Sequence, residues 1–542
     1  MASTFGGLSS LTGNAVLLPA FPIPVFLIIF MVIAAVLIAV ACVFFIVHFQ
    51  HPDDKNTAWL PKIVVLIALW SAVYSVLLLP VDVANRNDME LNYGNTPYYP
   101  LPMLTIWIIM YLWLTVLAIV VIPFFVIYYE SYEVKDTRGL VQEEEHEAVL
   151  GKALFKKMKK MMGGQLLTAA FITIPCAVIF FFFVFVLYIF LGVSDVPLYK
   201  LESGMVNGNE ENVGCGGSGY CSRANGSYEI RVSLFVFNIA LLCFLGTLLL
   251  IVFGGVGLIA LPLDMILAWW NRPTAIDLAI FQRKKDEIHT KAGELLAQAR
   301  DLQELQRHKK RLTIKQRLQI RSLKKQSYFM ELDYEELKVS YEERGGNPLK
   351  YWVLLPLAIF GIALTVVWTI HLFLYVLCKP PLFPALNLVF WFMDIIVPMS
   401  GTVVYAIFIF YLLLATLRGV MKVGIRLLFF AVHPMAKGKT LMNSFLFNCL
   451  IIILTCVALV NFSVTAFGMY VRDTAIHLLF GVQIRNLRLL VFFYNWWILA
   501  LYGVMCVSIV WFLFFPADRK KEIKEKLQQA KNSMAFRAGR VK

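Results

Sequence analysis

The chain has 542 residues, 59% of them hydrophobic and only 15% charged, with a formal net charge of +14. That balance excludes an ordinary soluble domain. Its apolar residues come in unbroken blocks as long as the 18 or more needed for a helix to cross about 30 Å of hydrocarbon. The blocks also lack the period-two alternation of outer-membrane strands, so the expected fold is an all-α, polytopic helical membrane protein in a lipid bilayer.

Nine spans are expected, at 24–47, 63–83, 102–129, 165–193, 232–263, 351–378, 388–417, 441–470 and 489–515. With the first span entering from outside, 41 of the 49 Lys and Arg fall in cytosolic segments and 8 in outer ones. The positive-inside rule then places the N-terminus outside or lumenal and the C-terminus in the cytosol. The first 24 residues have no basic n-region, so the first span is expected to act as its own insertion signal. The domain plan is spans one to five over 1–271, with a lumenal loop at 194–231, and a cytosolic helical hairpin over 272–350. Spans six to nine follow over 351–515, with a basic tail at 516–542.

Span two ends in LLLPVDVANR, where Asp82 and Arg86 follow a long uncharged run. The reading is an interfacial, helix-ending carboxylate with Arg86 four residues on as its neighbour. After span three, the stretch of 143–162 is acidic first and then basic, and its basic part reads either as a surface helix on an anionic leaflet or as a plain positive-inside flank. The 194–231 loop carries Cys215 and Cys221, read as a disulfide with free thiols as the alternative; the loop has no histidine to complete a metal pair. The same loop holds the glycosylation acceptor pattern Asn225-Gly226-Ser227.

Span five closes on Asp264, with Trp269 and Trp270 as interfacial belt residues and Arg272 as the flank. In the 272–350 loop, Ile288, Leu295 and Leu302 recur at seven, with Leu305 and Leu312 continuing the seam, which is coiled-coil-like and suggests one arm of a hairpin. Leu332 to Tyr341 forms the expected return arm, stopped by Gly345 and Gly346. Its basic residues lack a recognition fold or stacking platform, so nucleic acid is not an expected partner. A partner transporter or receptor is expected to dock there instead.

Span six contains a lone His371, read as a hydrogen-bonded packing residue and not as a metal ligand. Span seven is expected to start after KPPLFP either as a continuous helix or as a broken, re-entrant one, since it contains Asp394 and Pro398. Ionisable residues at membrane depth are functional candidates by default, and Asp394 leads Asp82, Asp264 and His371 because it lies deepest with no basic residue near it in sequence. His433 and Pro434 form a cytosolic elbow before span eight. No zinc-protease, serine-hydrolase or phosphate-loop signature occurs, so no enzyme activity, metal or cofactor is expected.

Four strings carry a resemblance: HFQHPDDKN (with His51, Pro52, Asp53 and Asp54), PVDVANR (Pro80, Asp82, Asn85 and Arg86), FGGVGLIALPLD, and HPMAKGKTLMNSFLFN (His433, Pro434, Asn443 and Ser444). Together they resemble the LIMR family of lipocalin-interacting or limb-region-like membrane proteins, whose LMBD branch is lysosomal. The resemblance covers nearly the whole chain. It implies nine spans, an outside N-terminus, a cytosolic loop after span five, and work as an endocytic lipocalin receptor, a signalling regulator or a helper of lysosomal cobalamin export. The leading expectation is thus a receptor or transport accessory, possible cargo being lipocalin or cobalamin, in a lysosomal, other endomembrane or plasma membrane. The alternatives are an ion channel or lipid-moving protein lined by Asp394, and a scaffold for signalling receptors acting through 272–350.

Overall fold

The computed structural model describes residues 23–51, 54, 59–91, 101–136, 165–201, 221–270, 272, 276–308, single positions between 323 and 341, and then 348–378, 381–423, 425–427, 430–432, 435 and 440–514. Pro52, Asp53, Cys215, His433, Pro434, the basic stretch of 143–162 and the 516–542 tail lie outside the described residues.

Helices dominate, in the order α1 (Ile23–Phe49), α2 (Trp59–Leu91), α3 (Met103–Val116), α4 (Ile122–Asp136) and α5 (Gln165–Leu191). A π-helical turn, Leu117–Val121, joins α3 to α4 as one span. Then come strands β1 (Val193–Leu201) and β2 (Cys221–Arg231), α6 (Leu234–Trp270) and α7 (Leu278–His308). The remainder is α8 (Pro348–His371), α9 (Ala385–Ile396), α10 (Ser400–Lys422), β3 (Ile425–Leu427), β4 (Phe430–Val432), α11 (Met442–Ala466) and α12 (Arg488–Phe514). Among the described residues, nine helices are long and apolar enough to cross a membrane. The all-α expectation therefore holds, with two small antiparallel strand pairs as additions.

Two boundaries differ from the sequence reading in ways that matter. The seventh span is not one helix over 388–417. It is the 12-residue α9, a turn at 397–399, and the 23-residue α10. At about 1.5 Å per residue α9 rises only about 18 Å, too short to cross alone. Pro398 withdraws an N–H at the break, and Met399 turns the chain with a φ of 67°. The eighth span stops at Ala466 instead of 470, where Phe467 leaves the helix and starts an irregular stretch up to a π-helical turn at His477–Ile484.

The chain forms two compact units, Met1–Leu258 with Val366–Met505, and Ile259–Thr365 with Cys506–Lys542. In the first, α11 is the central helix: 83% of its apolar window is buried, against 6% for α5. It packs on α2, α4 and α10. Two of its hydroxyls bond back to their own helix, Thr455 Oγ1 donating to Ile451 O and Ser463 Oγ to Leu459 O, whereas Ser444 Oγ and Asn461 Nδ2 are buried without a hydrogen-bond partner among the described residues. Close backbone approach is purchased with glycine: a Cβ on Gly419 of α10 would collide with the carbonyl of Phe253 in α6, and one on Gly257 with that of Ala415.

In the second unit, α7 is a polar helix whose base packs against residues 340 and 341. Phe281 stacks on Tyr341 at 4.3 Å between centroids, and the Ile276 amide donates to Ser340 O at 3.3 Å. Along α7, Ile288 and Leu295 are half-buried while most of their neighbours are exposed.

Replacing Gly419 by alanine should destabilise the protein by about 1–3 kcal/mol, since backbone carbonyls give way poorly. Thermal unfolding in detergent checks this. Gly503→Ala, where an added Cβ meets nothing, should leave the midpoint unchanged or raise it.

Candidate functional site

Both ends of α11 are held by aspartates from elsewhere in the chain. At its start, Leu441 provides no side-chain cap. The Asp54 carboxylate does so instead, Oδ2 accepting from the Met442 amide at 2.9 Å and Oδ1 from the Tyr129 hydroxyl at 2.6 Å. A carboxylate at a helix N-terminus satisfies an orphan donor and meets the positive end of the helix dipole. The backbone around Asp54 joins in: the His51 amide donates to Thr440 O and the Thr440 amide to Phe49 O, forming a bridge between residues 50 and 440.

At the other end, the chain from Phe467 to Thr474 is neither helix nor strand, and helix resumes at Ala475, yet the stretch runs among buried residues. Its backbone, together with the last carbonyl of α11, is held by side chains from three helices. His371 of α8 engages Ala466 O through Nε2 at 3.0 Å, and its Nδ1 accepts from the Leu386 amide at 3.4 Å. Asn387 of α9 accepts from the Tyr470 amide at 3.1 Å. Arg86 of α2 donates to Tyr470 O and, at 2.8 Å, to Arg472 O, while its guanidinium lies 5.6 Å from the Tyr470 ring centroid. Asp82, one turn before Arg86, accepts from the Ile476 amide at 2.9 Å and from Trp107 Nε1 of α3 at 2.9 Å, with the Ala475 backbone also bonded to it.

Asp394 completes the arrangement from the α9 side of the break. Its Oδ2 accepts from the Tyr470 hydroxyl at 2.7 Å and its Oδ1 from the Gly401 amide at 2.8 Å, so one carboxylate both pins the segment and caps the start of α10. Thr402 Oγ1 lies 3.1 Å from the same tyrosine oxygen. Phe390, Tyr405, Phe408 and Phe467 pack edge to face around this point, and Trp368 lies 4.9 Å from Phe467, which keeps the polar contacts dry.

Three of the four intramembrane candidates, Asp82, Asp394 and His371, therefore converge on one stretch of backbone. Asp264 does not: it lies half-buried on α6 among the residues of the second unit, before the Trp269 and Trp270 pair. The reading of Asp82 as a helix-ending group is corrected. α2 continues to Leu91 through Pro80, and Asp82 is 2% exposed. The reason is that the Ile476 and Ala475 backbone and Trp107 Nε1 satisfy the carboxylate in place of water, so the helix can continue past it. Asn85 of the same string exchanges bonds with Leu101, accepting from its amide at 3.1 Å. Asn443 and Ser444 sit in the first turn of α11 beside the Asp54 cap. Sequence reasoning missed Trp107, Asn387, Thr402, Tyr405 and Tyr470, which look like ordinary span residues. The only local signal was Arg472-Asp473 directly after an apolar run, where Asp473 takes a φ of 69°.

Outside the spans, burial pushes the Tyr470 hydroxyl well above its ordinary range, and its bond to Asp394 adds to this. Burial likewise holds His477 below its usual 6.5, an effect that Asp473 partly opposes. At the surface, Arg488 pairs with Asp195 at 3.0 Å and Glu229 at 2.5 Å, fastening the strand pair to the start of α12; hydrogen bonding to Asp195 raises the arginine further. β1 and β2 pair from Val193↔Arg231 to Leu201↔Cys221 with a register shift after Pro197, and Asn225 lies on β2 in that shifted stretch.

A bundle of apolar spans in which an irregular stretch after α11 is sewn down by buried carboxylates, an arginine and a histidine defines a polytopic helical membrane protein with a built polar centre. The profile of the LMBR1-like membrane protein family matches residues 27–334 and 346–515, and the chain belongs to that family. A LIMR family protein of Dictyostelium discoideum is 30% identical over 537 residues, covering 92% of this chain and 99% of the relative. LIMR family proteins of Arabidopsis thaliana and Oryza sativa subsp. japonica are each 30% identical over 513 residues, covering 91% and 90% of this chain and 96% and 95% of the relatives. No solved structure matches.

Replacing Asp82 by alanine strands Trp107 Nε1 and the Ile476 amide, and should cost about 3 kcal/mol; faster amide exchange at Ile476 together with a lower unfolding midpoint would show it. The histidine gives a pH dependence of definite sign. Its folded value lies below 6.5, so stability is fully present above pH 6.5 and is lost as pH falls through the window beneath it, where only the unfolded state binds the proton. Exchange at 477–484 should therefore speed up below pH 6.5, and His477→Gln should flatten that dependence.

Proposed function

We propose that this protein is a non-enzymatic receptor or transport accessory of a lysosomal, other endomembrane or plasma membrane, whose moving part is the 467–476 segment together with the broken seventh span. The carrying observation is that the segment is held by individual side-chain hydrogen bonds from α2, α9 and α10, with α8 bonded to the last carbonyl of α11 just before it, instead of by continuous helix packing. Such holds can be released singly, and discontinuous helices with polar backbone at depth are where membrane transporters bind and move their substrates. Kinship with the LIMR family supports a cargo of the kinds tied to that family, a lipocalin with its bound small molecule or cobalamin. The reading of Asp394 as the lining of an open conduit gains no support from its surroundings, since each carboxylate oxygen takes a hydrogen bond from the protein.

A second reading has its own support in α7, a 31-residue helix with most of its side chains exposed and a half-buried apolar stripe. This favours a docking arm for a partner transporter or receptor. In either case the Arg86 end of the bundle is taken as lumenal and the Asp54 end as cytosolic, in line with the distribution of basic residues.

Cells lacking the protein should retain labelled cobalamin in lysosomes or lose uptake of labelled lipocalin, and normal handling of both cargoes would count against the transport reading. Orientation has a separate check. An Asn225→Gln protein should migrate faster than wild type and no longer respond to a glycan-removing enzyme, whereas an identical pair of bands would place that strand on the cytosolic side.

A further inference from the structure

Phe467, the first residue of the irregular segment, is fully buried and enclosed by rings from three helices. Its ring centroid lies 4.9 Å from that of Trp368 and 5.4 Å from that of His371 on α8, and 5.3 Å from that of Phe390 on α9. From α10, Tyr405 stands at 5.3 Å and Phe408 at 6.4 Å. The walls also meet one another: Phe408 lies 6.1 Å from Trp368 and 5.7 Å from Phe390, and Phe390 lies 6.1 Å from Tyr405. The box is therefore held together by its own rings as well as by the one inside it.

Phe467 fills this box but leaves its polar groups unmet. Trp368 Nε1 and Tyr405 Oη, both on walls, have no hydrogen-bond partner among the described residues, and neither has Asn387 Nδ2, one turn before Phe390 on α9. All three residues are at most 2% exposed. Buried polar atoms are nearly always bonded, so three orphans in the side chains around one hydrocarbon ring call for a reason. Two of them can only donate, and the tyrosine hydroxyl can donate as well. What they lack is an acceptor, and a phenyl face is only a weak one.

We infer that this aromatic box is a binding site for a planar, benzene-sized ring carrying a carbonyl oxygen that accepts from Trp368 Nε1 or Tyr405 Oη, and that Phe467 is its built-in competitor. The inference deepens the transport reading and rests on it, because Phe467 leaves the box only when the 467–476 segment moves. The resident ring shows the shape that fits, and the orphan donors show the chemistry it does not supply. Asn387 links box and segment: its Oδ1 accepts from the Tyr470 amide while its Nδ2 stays idle. A vacated box would not simply fill with water, since apolar cavities of about 150 Å³ stay dry and take up benzene. A quaternary ammonium ion, the other usual guest of aromatic boxes, has no lone pair to offer the donors.

The test uses the full-length wild type and Phe467→Ala in lipid nanodiscs with two molecules of one shape, acetophenone and isopropenylbenzene, in which a methylene group replaces the carbonyl oxygen. Binding is followed by ligand-observed NMR, and displacement of the segment by amide exchange at 468–476. Phe467→Ala should bind acetophenone about tenfold more tightly than isopropenylbenzene, the worth of one net hydrogen bond. Adding Trp368→Phe and Tyr405→Phe should abolish that preference. The wild type should bind acetophenone more weakly than Phe467→Ala does, and saturation should speed its exchange at 468–476 as Phe467 is expelled. Equal affinity for the two molecules, a preference that survives loss of both donors, or wild-type exchange indifferent to saturating acetophenone would each overturn the inference. Should Phe467→Ala not fold, wild-type exchange decides alone, with acetophenone acting at about a tenth of the isopropenylbenzene concentration and equal potency overturning the site. Expulsion of Phe467 alongside normal cargo handling in cells lacking the protein would sink only the transport reading. Impaired handling in those cells, with no preference between the two molecules, would sink only the binding site.

Discussion

A backbone that leaves the helix inside an apolar bundle must find a partner for every N–H and C=O it exposes, because no solvent will supply one. The 467–476 segment meets that demand by recruiting side chains, and the Asp82 carboxylate is the first of them: it accepts the amide of Ile476 and is itself steadied by Trp107. Arg86 takes up the carbonyls of Tyr470 and Arg472 on the same helix face. Asp394 then ties the tyrosine side chain to the broken seventh span. Without these bonds, α2, α3, α9 and α10 would have no common anchor at this end of the bundle.

The opposite end obeys the same rule with a different donor. The start of α11 offers free amides, its own cap residue is a leucine, and Asp54 reaches in from the turn before α2. Two of the strings that mark the family, HPDDKN and the run ending TLMNS, are therefore halves of one joint: residues 50 and 51 pair with residue 440 while Asp54 caps residue 442. A third string, PVDVANR, supplies both Asp82 and Arg86 to the other joint. α2 and α11 run parallel because each is fixed to the other's neighbourhood at both ends.

The spans were legible because hydrophobic length is a local property of the chain, and so were the suspects at membrane depth, because a charge in an apolar run is visible wherever it falls. What they bind was not legible. Asp82 and Ile476 are 394 positions apart, and Tyr470 resembles the other aromatic residues of an apolar block. Asp82 next to Arg86 in a helical register suggested a local pair, whereas tertiary packing turned both side chains toward a segment that sequence periodicity counted as part of span eight. The break in span seven was foreshadowed by Pro398 and a mid-span carboxylate, though not its mode of repair, in which the carboxylate folds back to cap the next helix.

The separation of Asp82 from Ile476 also has a meaning in time. Translation adds about 5–20 residues per second, so the 394 residues between them take roughly twenty to eighty seconds to make. For nearly all of that interval α2 is already in or at the bilayer with an aspartate that has only Trp107 of its final partners and an arginine that still lacks the carbonyls of Tyr470 and Arg472. The bundle cannot close as its helices emerge one by one. It must wait, half-assembled and with the charged end of α2 exposed, for the loop that follows α11, which makes this protein dependent during synthesis on whatever membrane machinery shelters polar helices.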